Sequence, residues 1–161
     1  MIGSNAFRGK HILLGITGSI AAYKAADLVR RLKEHGAEVR VMMSHGATQF
    51  ITPLTMQTVS GHPVSLNFFD ADEEAAMGHI KLARWADWIV IAPATADCLA
   101  KLTHGHADDL ISTVCLASEA PLILAPAMNN KMWSHPATQQ NYQLLKQRGV
   151  EFFGPESGDQ A

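Results

Sequence analysis

The stretch "LLGITGSIAAYK", Leu13 to Lys24, decides the fold. An apolar run gives way to a turn of small residues at Gly18 and Ser19, and a helical pattern begins at Ile20. The order strand, tight turn, helix is the opening of a βαβ unit. The turn lacks both the three glycines of GxGxxG and the GK[ST] of a phosphate loop. Two readings of it stand. The first amides of a helix have no partners inside it and point into the turn, where a phosphate or similar anion fits. Equally, Gly18 supplies only backbone freedom and Ser19 only an N-cap.

Outward from this stretch the same alternation repeats. Four more short apolar runs lie between turn residues: "EVRVMM" (Glu38–Met43), "WIVIAP" (Trp88–Pro93), "PLILAP" (Pro121–Pro126) and "VEFFG" (Val150–Gly154). With "HILLGI" (His11–Ile16) they make five expected strands. Runs apolar at nearly every position suit strands covered on both faces. Helical spacing fills the gaps over Ile20–His35, Thr95–Thr103, Ala107–Ser118 and Pro136–Arg148, with Gly36, Gly105 and Gly149 as stops. "PLTMQTVSG" and "GHIKLARWA" read as two further helices, on either side of a long loop, "HPVSLNFFDADEE". The expected architecture is a three-layer α/β/α domain on a mostly parallel, Rossmann-like sheet.

Composition narrows the function classes. The chain of 161 residues, 47% hydrophobic, suits one domain. Its 13 basic and 15 acidic residues leave a formal net charge of -2 without long runs of either sign, which argues against nucleic acid and anionic membrane as partners. No apolar stretch approaches the roughly 18 residues of a membrane span, and "MIGSNAFRGK" has no signal-peptide core, so the default location is the cytoplasm. Cys98 and Cys115 sit apart in apolar segments and read as reduced and buried. Of the eight histidines, the densest group is in "THGHADD" (Thr103–Asp109), which reads as a surface loop, and no metal site is expected.

In a parallel sheet the segments that leave the strands share one edge, and ligands bind there. Here they are "TGSIAAYK", "SHGATQF", "ATAD" and "AMNNKMW". In "PAMNNKMW" the Asn129 amide could donate to a carboxylate beside an apolar wall of Met128, Met132 and Trp133, or it could simply close a turn. Thr95 and Asp97 border a ligand or cap a helix. His79, at the end of the irregular loop, is the candidate base.

Together, "GITGSIAAYK", "GHIKLARWADWIVIAPATAD" and "PAMNNKMW" resemble the homo-oligomeric flavin-containing cysteine decarboxylases, above all the branch acting on phosphopantothenoylcysteine in coenzyme A biosynthesis. The resemblance runs from about Lys10 to Ala161, and Pro126, Met128, Asn129, Met132 and Trp133 match the PxMNxxMW motif. It implies an FMN-binding decarboxylase domain over residues 10–161 behind an N-terminal arm of residues 1–9. It implies that Gly18, Ser19, Ile20 and Ser44 line the FMN phosphate site, that Thr95, Ala96, Asp97 and Ala127 border the flavin, that His79 is catalytic, and that Asn129 engages the substrate carboxylate. The flavin would take electrons from the thiol-bearing carbon, so that the electrons left by carbon dioxide flow into a C=S bond, and would then return them.

The resemblance also implies a trimer or assembly of trimers with the site between subunits, with possible roles for Phe50 and the loop around Phe68. In bacterial members a phosphopantothenate-cysteine ligase domain is commonly fused. The family's substrate flap carries a cysteine just past the position of Ala161, which neither Cys98 nor Cys115 matches. On that basis this stretch is expected to bind FMN and carry the oxidative half without completing the reductive half. The alternatives are a related flavoprotein acting on a peptide C-terminal cysteine or on flavin itself, the latter disfavoured by PxMNxxMW, and a non-enzymatic flavin-binding regulatory subunit.

Overall fold

The computed structural model describes residues 5–67 and 78–155. Much of the expected long loop, with Phe68, and the stretch after Pro155 lie outside the described residues. Strands β1 (His11–Ile16), β2 (Glu38–Met43), β3 (Trp88–Ala94), β4 (Leu122–Pro126) and β5 (Glu151–Phe152) form one sheet in the order β2-β1-β3-β4-β5. Every pairing between them is parallel, so the mostly parallel sheet expected from sequence is wholly so among the described residues.

The apolar runs divide by face, as a two-residue period requires. Ile12, Leu14, Ile16, Val39, Val41 and Met43 pack with Ala25, Val29 and Met56 from α1 (Ala25–Glu34) and α2 (Pro53–Ser60). On the opposite face Leu13, Met42, Ile89, Ile91 and Leu124 meet Leu82, Leu99, Val114 and Leu145. Those four come from α3 (His79–Trp85), α4 (Ala96–His104), α5 (Leu110–Ala117) and α7 (Pro136–Gln147). Full burial of each such side chain stabilises the fold by about 1.5–3 kcal/mol. Gly15 sits within β1 because a Cβ there would meet Ile91 Cδ1 at 2.6 Å.

Two helix limits differ from the sequence reading. The single helix expected over Ile20–His35 begins as a 3-10 turn, Ile20–Lys24, and becomes α-helical at Ala25. Ser19 causes this: its Oγ accepts from the Ala21 amide at 3.2 Å and its carbonyl from Ala22 at 2.9 Å, tightening the first turn. Helix α5 starts at Leu110 rather than Ala107, because Asp109 and Ser112 form a reciprocal cap. The expected Gly36 stop follows α1 with φ of 96°. No helix among the described residues is long and apolar enough to cross a membrane.

Candidate functional site

The strand order reverses between β1 and β3, and a crevice opens beyond the carboxyl ends of the strands at such a point. The cleft found there has a volume of about 800 Å³. Gly18, Ser19 and Ile20 reach it from β1, Ser44 from β2, Thr95, Ala96 and Asp97 from β3, and Ala127 and Asn129 from β4. The structure thus brings these nine sequence-predicted residues to one place. His79, the first residue of α3, is partly buried and is not among the residues lining this chain's cleft.

One end of the cleft is built for close approach of backbone. A Cβ on Gly18 would lie 3.0 Å from both Cα and C of Gly46, so the turn after β1 and the turn after β2 touch through their glycines. Among the described residues the Gly18 and Ile20 amides have no backbone acceptor. Ser44 braces the second turn, its Oγ accepting from the Ala47 amide at 3.1 Å while its own amide donates to Ile16 at 3.0 Å. The cleft carboxylates, Asp97 and Asp109, belong to the α4 and α5 side. Open amides at the start of a helical turn suit an anion.

On the α4 and α5 side Lys101 gathers three carboxylates, with its Nζ 2.9 Å from Asp109, 3.5 Å from Asp108 and 3.6 Å from Asp97. The hydrogen bond to Asp109 is the main cause that holds the Lys101 ammonium above the usual lysine range. Burial pushes the Asp109 carboxyl upward, but hydrogen bonds from Ser112 and Lys101 outweigh it and keep the group below its ordinary value. The pair stays ionised and ties the start of α5 to α4. Cys98 lines the same wall as a neutral thiol, pushed far up by burial.

Asn129 caps α6 (Asn130–Ser134), its Oδ1 accepting from the Met132 amide at 2.8 Å. That bond fixes the carboxamide oxygen and leaves the two Nδ2 protons for a ligand. Met128 and Met132 also line the cleft, while Trp133 packs edge-on to Tyr142 with centroids 5.0 Å apart. Both sequence readings of Asn129, as a cap and as a donor, are therefore compatible in one side chain. The same holds for Thr95, which caps α4 through the Cys98 amide at 3.1 Å.

Sequence reasoning missed Lys101 and Asp109 as cleft residues, and Thr17, although it opens the "TGSIAAYK" segment expected there, was given no role. Thr17 ends an apolar run and Lys101 lies in an ordinary helical pattern. Residues 104–108 are exposed, as the surface-loop reading of "THGHADD" expects, but Asp109 turns inward.

The Flavoprotein family profile matches residues 3–160. The chain belongs to the Flavoprotein family. It is 58% identical over 153 residues to the coenzyme A biosynthesis bifunctional protein CoaBC of Vibrio vulnificus, an alignment covering 95% of this chain and 38% of that protein. The chain therefore spans well under half the length of that curated relative. A probable phosphopantothenoylcysteine decarboxylase of Streptococcus mutans is 48% identical over 150 residues, covering 92% of this chain and 84% of the relative. Among solved structures, the FMN-dependent cysteine decarboxylase SpaF superposes with a TM-score of 0.85 at 35% identity, covering 94% of this chain and 87% of that one.

Proposed function

We propose that this chain holds FMN in the cleft and decarboxylates the cysteinyl carboxylate of phosphopantothenoylcysteine, a step of coenzyme A biosynthesis, as a cytoplasmic homo-oligomer. The observation that carries the reading is the meeting of the touching Gly18 and Gly46 turns with the free amide donors of Asn129 in one cleft. The relatives named for this reaction, and the FMN dependence of the SpaF enzyme, support the same substrate and cofactor.

The residues fit an FMN. Its phosphate would lie on the Gly18 and Ile20 amides with Ser19 and Ser44 beside it, where a side chain on Gly18 would meet Gly46 backbone. Ala96 and Ala127 present little side chain, so a flat ring system can lie against their backbone. When bound, the flavin supplies reversible two-electron chemistry at the thiol-bearing carbon, which gives the decarboxylation an electron sink.

The protein's own groups then do three things. Asn129 donates its Nδ2 protons to the leaving carboxylate and fixes its orientation. The apolar wall of Ile20, Phe50, Met128 and Met132 excludes water and strengthens that bond. His79 takes the proton as the thiol-bearing carbon is oxidised. Because His79 does not line the cleft of its own chain, a neighbouring subunit supplies it. Two sets of exposed apolar side chains support this arrangement: Ile20 and Phe50 at the cleft, and Ile80 with Leu116 on α3 and α5. A heterologous contact between such surfaces closes a ring, as in a trimer.

The test is anaerobic addition of phosphopantothenoylcysteine to the FMN-loaded protein. Bleaching of the visible flavin band with release of carbon dioxide is expected. Bleaching only by a peptide ending in cysteine would move the reading to a peptide decarboxylase, and no bleaching with either would leave a flavin-binding module.

A further inference from the structure

We infer that the Thr17 hydroxyl is a positioning group that sets the separation of β1 and β3 at the mouth of the cleft, and with it the two loops that would hold the flavin. The inference rests on the flavin reading above.

The β1–β3 ladder has its last pair at Gly15 and Ile91. Beyond it the chains must part to open the crevice, yet Thr17 alone keeps them joined for two more residues, through its amide and its hydroxyl. The Thr17 amide donates to the Pro93 carbonyl at 3.3 Å, and the Thr17 hydroxyl donates to the same oxygen at 2.6 Å. The hydroxyl oxygen in turn accepts from the Thr95 amide at 3.1 Å. Thr17 is only 6% exposed, and its single hydroxyl proton is committed to Pro93. It therefore acts through the backbone on either side rather than by giving a proton to a ligand.

Both walls of the cleft hang from this bridge. Thr95 caps α4 through the Cys98 amide, so the Thr95 amide, the cap and the first turn of α4 move as one piece. On the other side the next residue is Gly18, whose backbone touches Gly46. Removing the hydroxyl while keeping the shape leaves the part-buried Thr95 amide without its acceptor, and the relief of that cost is for Thr95 to turn towards water in the cleft. The loops on β1 and β3 then lose their common reference.

Thr17→Val keeps the branched shape and removes both hydroxyl bonds, leaving only the longer bond from the Thr17 amide to Pro93, whereas Thr17→Ser keeps all three bonds and drops only a methyl group. In the cofactor-free protein, hydrogen exchange at the Thr95 amide should speed up about tenfold or more in Thr17→Val, the factor for ~1.4 kcal/mol, and stay within about threefold in Thr17→Ser. FMN affinity, measured well below each variant's unfolding midpoint, should fall about tenfold or more in Thr17→Val and return to within about threefold in Thr17→Ser. If Thr17→Val does not fold, Thr17→Cys takes its place, since a thiol is a poor donor and acceptor at the same point. FMN affinity equal to that of the parent in the valine or cysteine variant would overturn the inference, as would an equal loss in Thr17→Ser. Failure of the parent to bind FMN would overturn the flavin reading instead, while the exchange measurement would still decide whether the bridge holds Thr95.

Discussion

Replacing Gly18 by alanine should harm the cleft through contact, and the mirror change at Gly46 should not. An added methyl at Gly18 lies 3.0 Å from Gly46 Cα and C and 3.3 Å from its oxygen, all backbone atoms that no rotamer can move away. To reach an ordinary separation, the two turns must part by a few tenths of an ångström. Strain of this kind in a packed region costs about 1–3 kcal/mol. For a chain of this size ~2 kcal/mol corresponds to a fall of about 4–8 °C in Tm. In Gly46→Ala the new methyl lies 3.4 Å from Gly18 Cα and 3.8 Å from Ser44 Oγ, ordinary contact distances, so its Tm should move by less than about 2 °C. FMN affinity should follow the same order, because the amides proposed to hold the phosphate sit on the displaced turn. The assay is thermal unfolding of the cofactor-free proteins together with FMN titration at a fixed temperature. Equal effects from the two substitutions, or none from Gly18→Ala, would refute the close-approach argument.

Ser19→Asp keeps an oxygen able to cap the Ala21 amide, so the fold should persist, but its charge would face the phosphate and weaken FMN; unchanged affinity at equal salt would place the phosphate elsewhere. His79→Asn should slow flavin bleaching by substrate about a hundredfold to ten-thousandfold without loss of FMN. Asn129→Asp should also block the reaction, since it keeps the cap on Met132 but sets a carboxylate against the substrate's own. Subunits of these two variants, dissociated and reassembled together, should regain bleaching if His79 comes from a neighbour; no recovery would put both groups in one subunit's service. Burial pushes the Cys115 thiol up to about 12 from 9.0 and moves Cys98 the same way. Their contribution to stability is therefore complete below about pH 9 and is lost as pH rises towards 12, because the unfolded thiols ionise first. One unit above the unfolded value this is roughly 1 kcal/mol per thiol. Urea unfolding between pH 9 and 11 should show a decline that flattens when both cysteines become alanine, and an unaltered slope would contradict it.

The sheet was legible because its strands are covered on both faces. "HILLGI" and "EVRVMM" are apolar nearly throughout, and β1 and β2 have the bounds that those runs suggest. Helix ends were less legible because side-chain caps decide them. The 3-10 start at Ile20 depends on the direction of Ser19 Oγ, and the start of α5 on which of two adjacent aspartates reaches Ser112. Much of the cleft was readable because a parallel sheet sends every strand-to-helix segment to one edge, so Gly18, Ser44, Thr95 and Asn129 had to meet. What stayed hidden depends on three-dimensional contact without a sequence period. The Lys101–Asp109 pair joins two helices across an exposed turn, and the Gly18–Gly46 contact joins loops on different strands. The bridge from Thr17 to Pro93 and Thr95 spans more than seventy residues of chain. His79 was conspicuous as a motif residue, but a sequence motif carries no information on which subunit's cleft it serves.

The most direct test of the account is one anaerobic mixing experiment, in which FMN-loaded protein receives phosphopantothenoylcysteine while flavin absorbance and product mass are followed together. Expected are loss of the visible flavin band and a product lighter by one carbon dioxide and two hydrogens, the two electrons being held by the bleached flavin, with both changes absent in Asn129→Asp. Retained FMN with an unbleached band and intact substrate would contradict it.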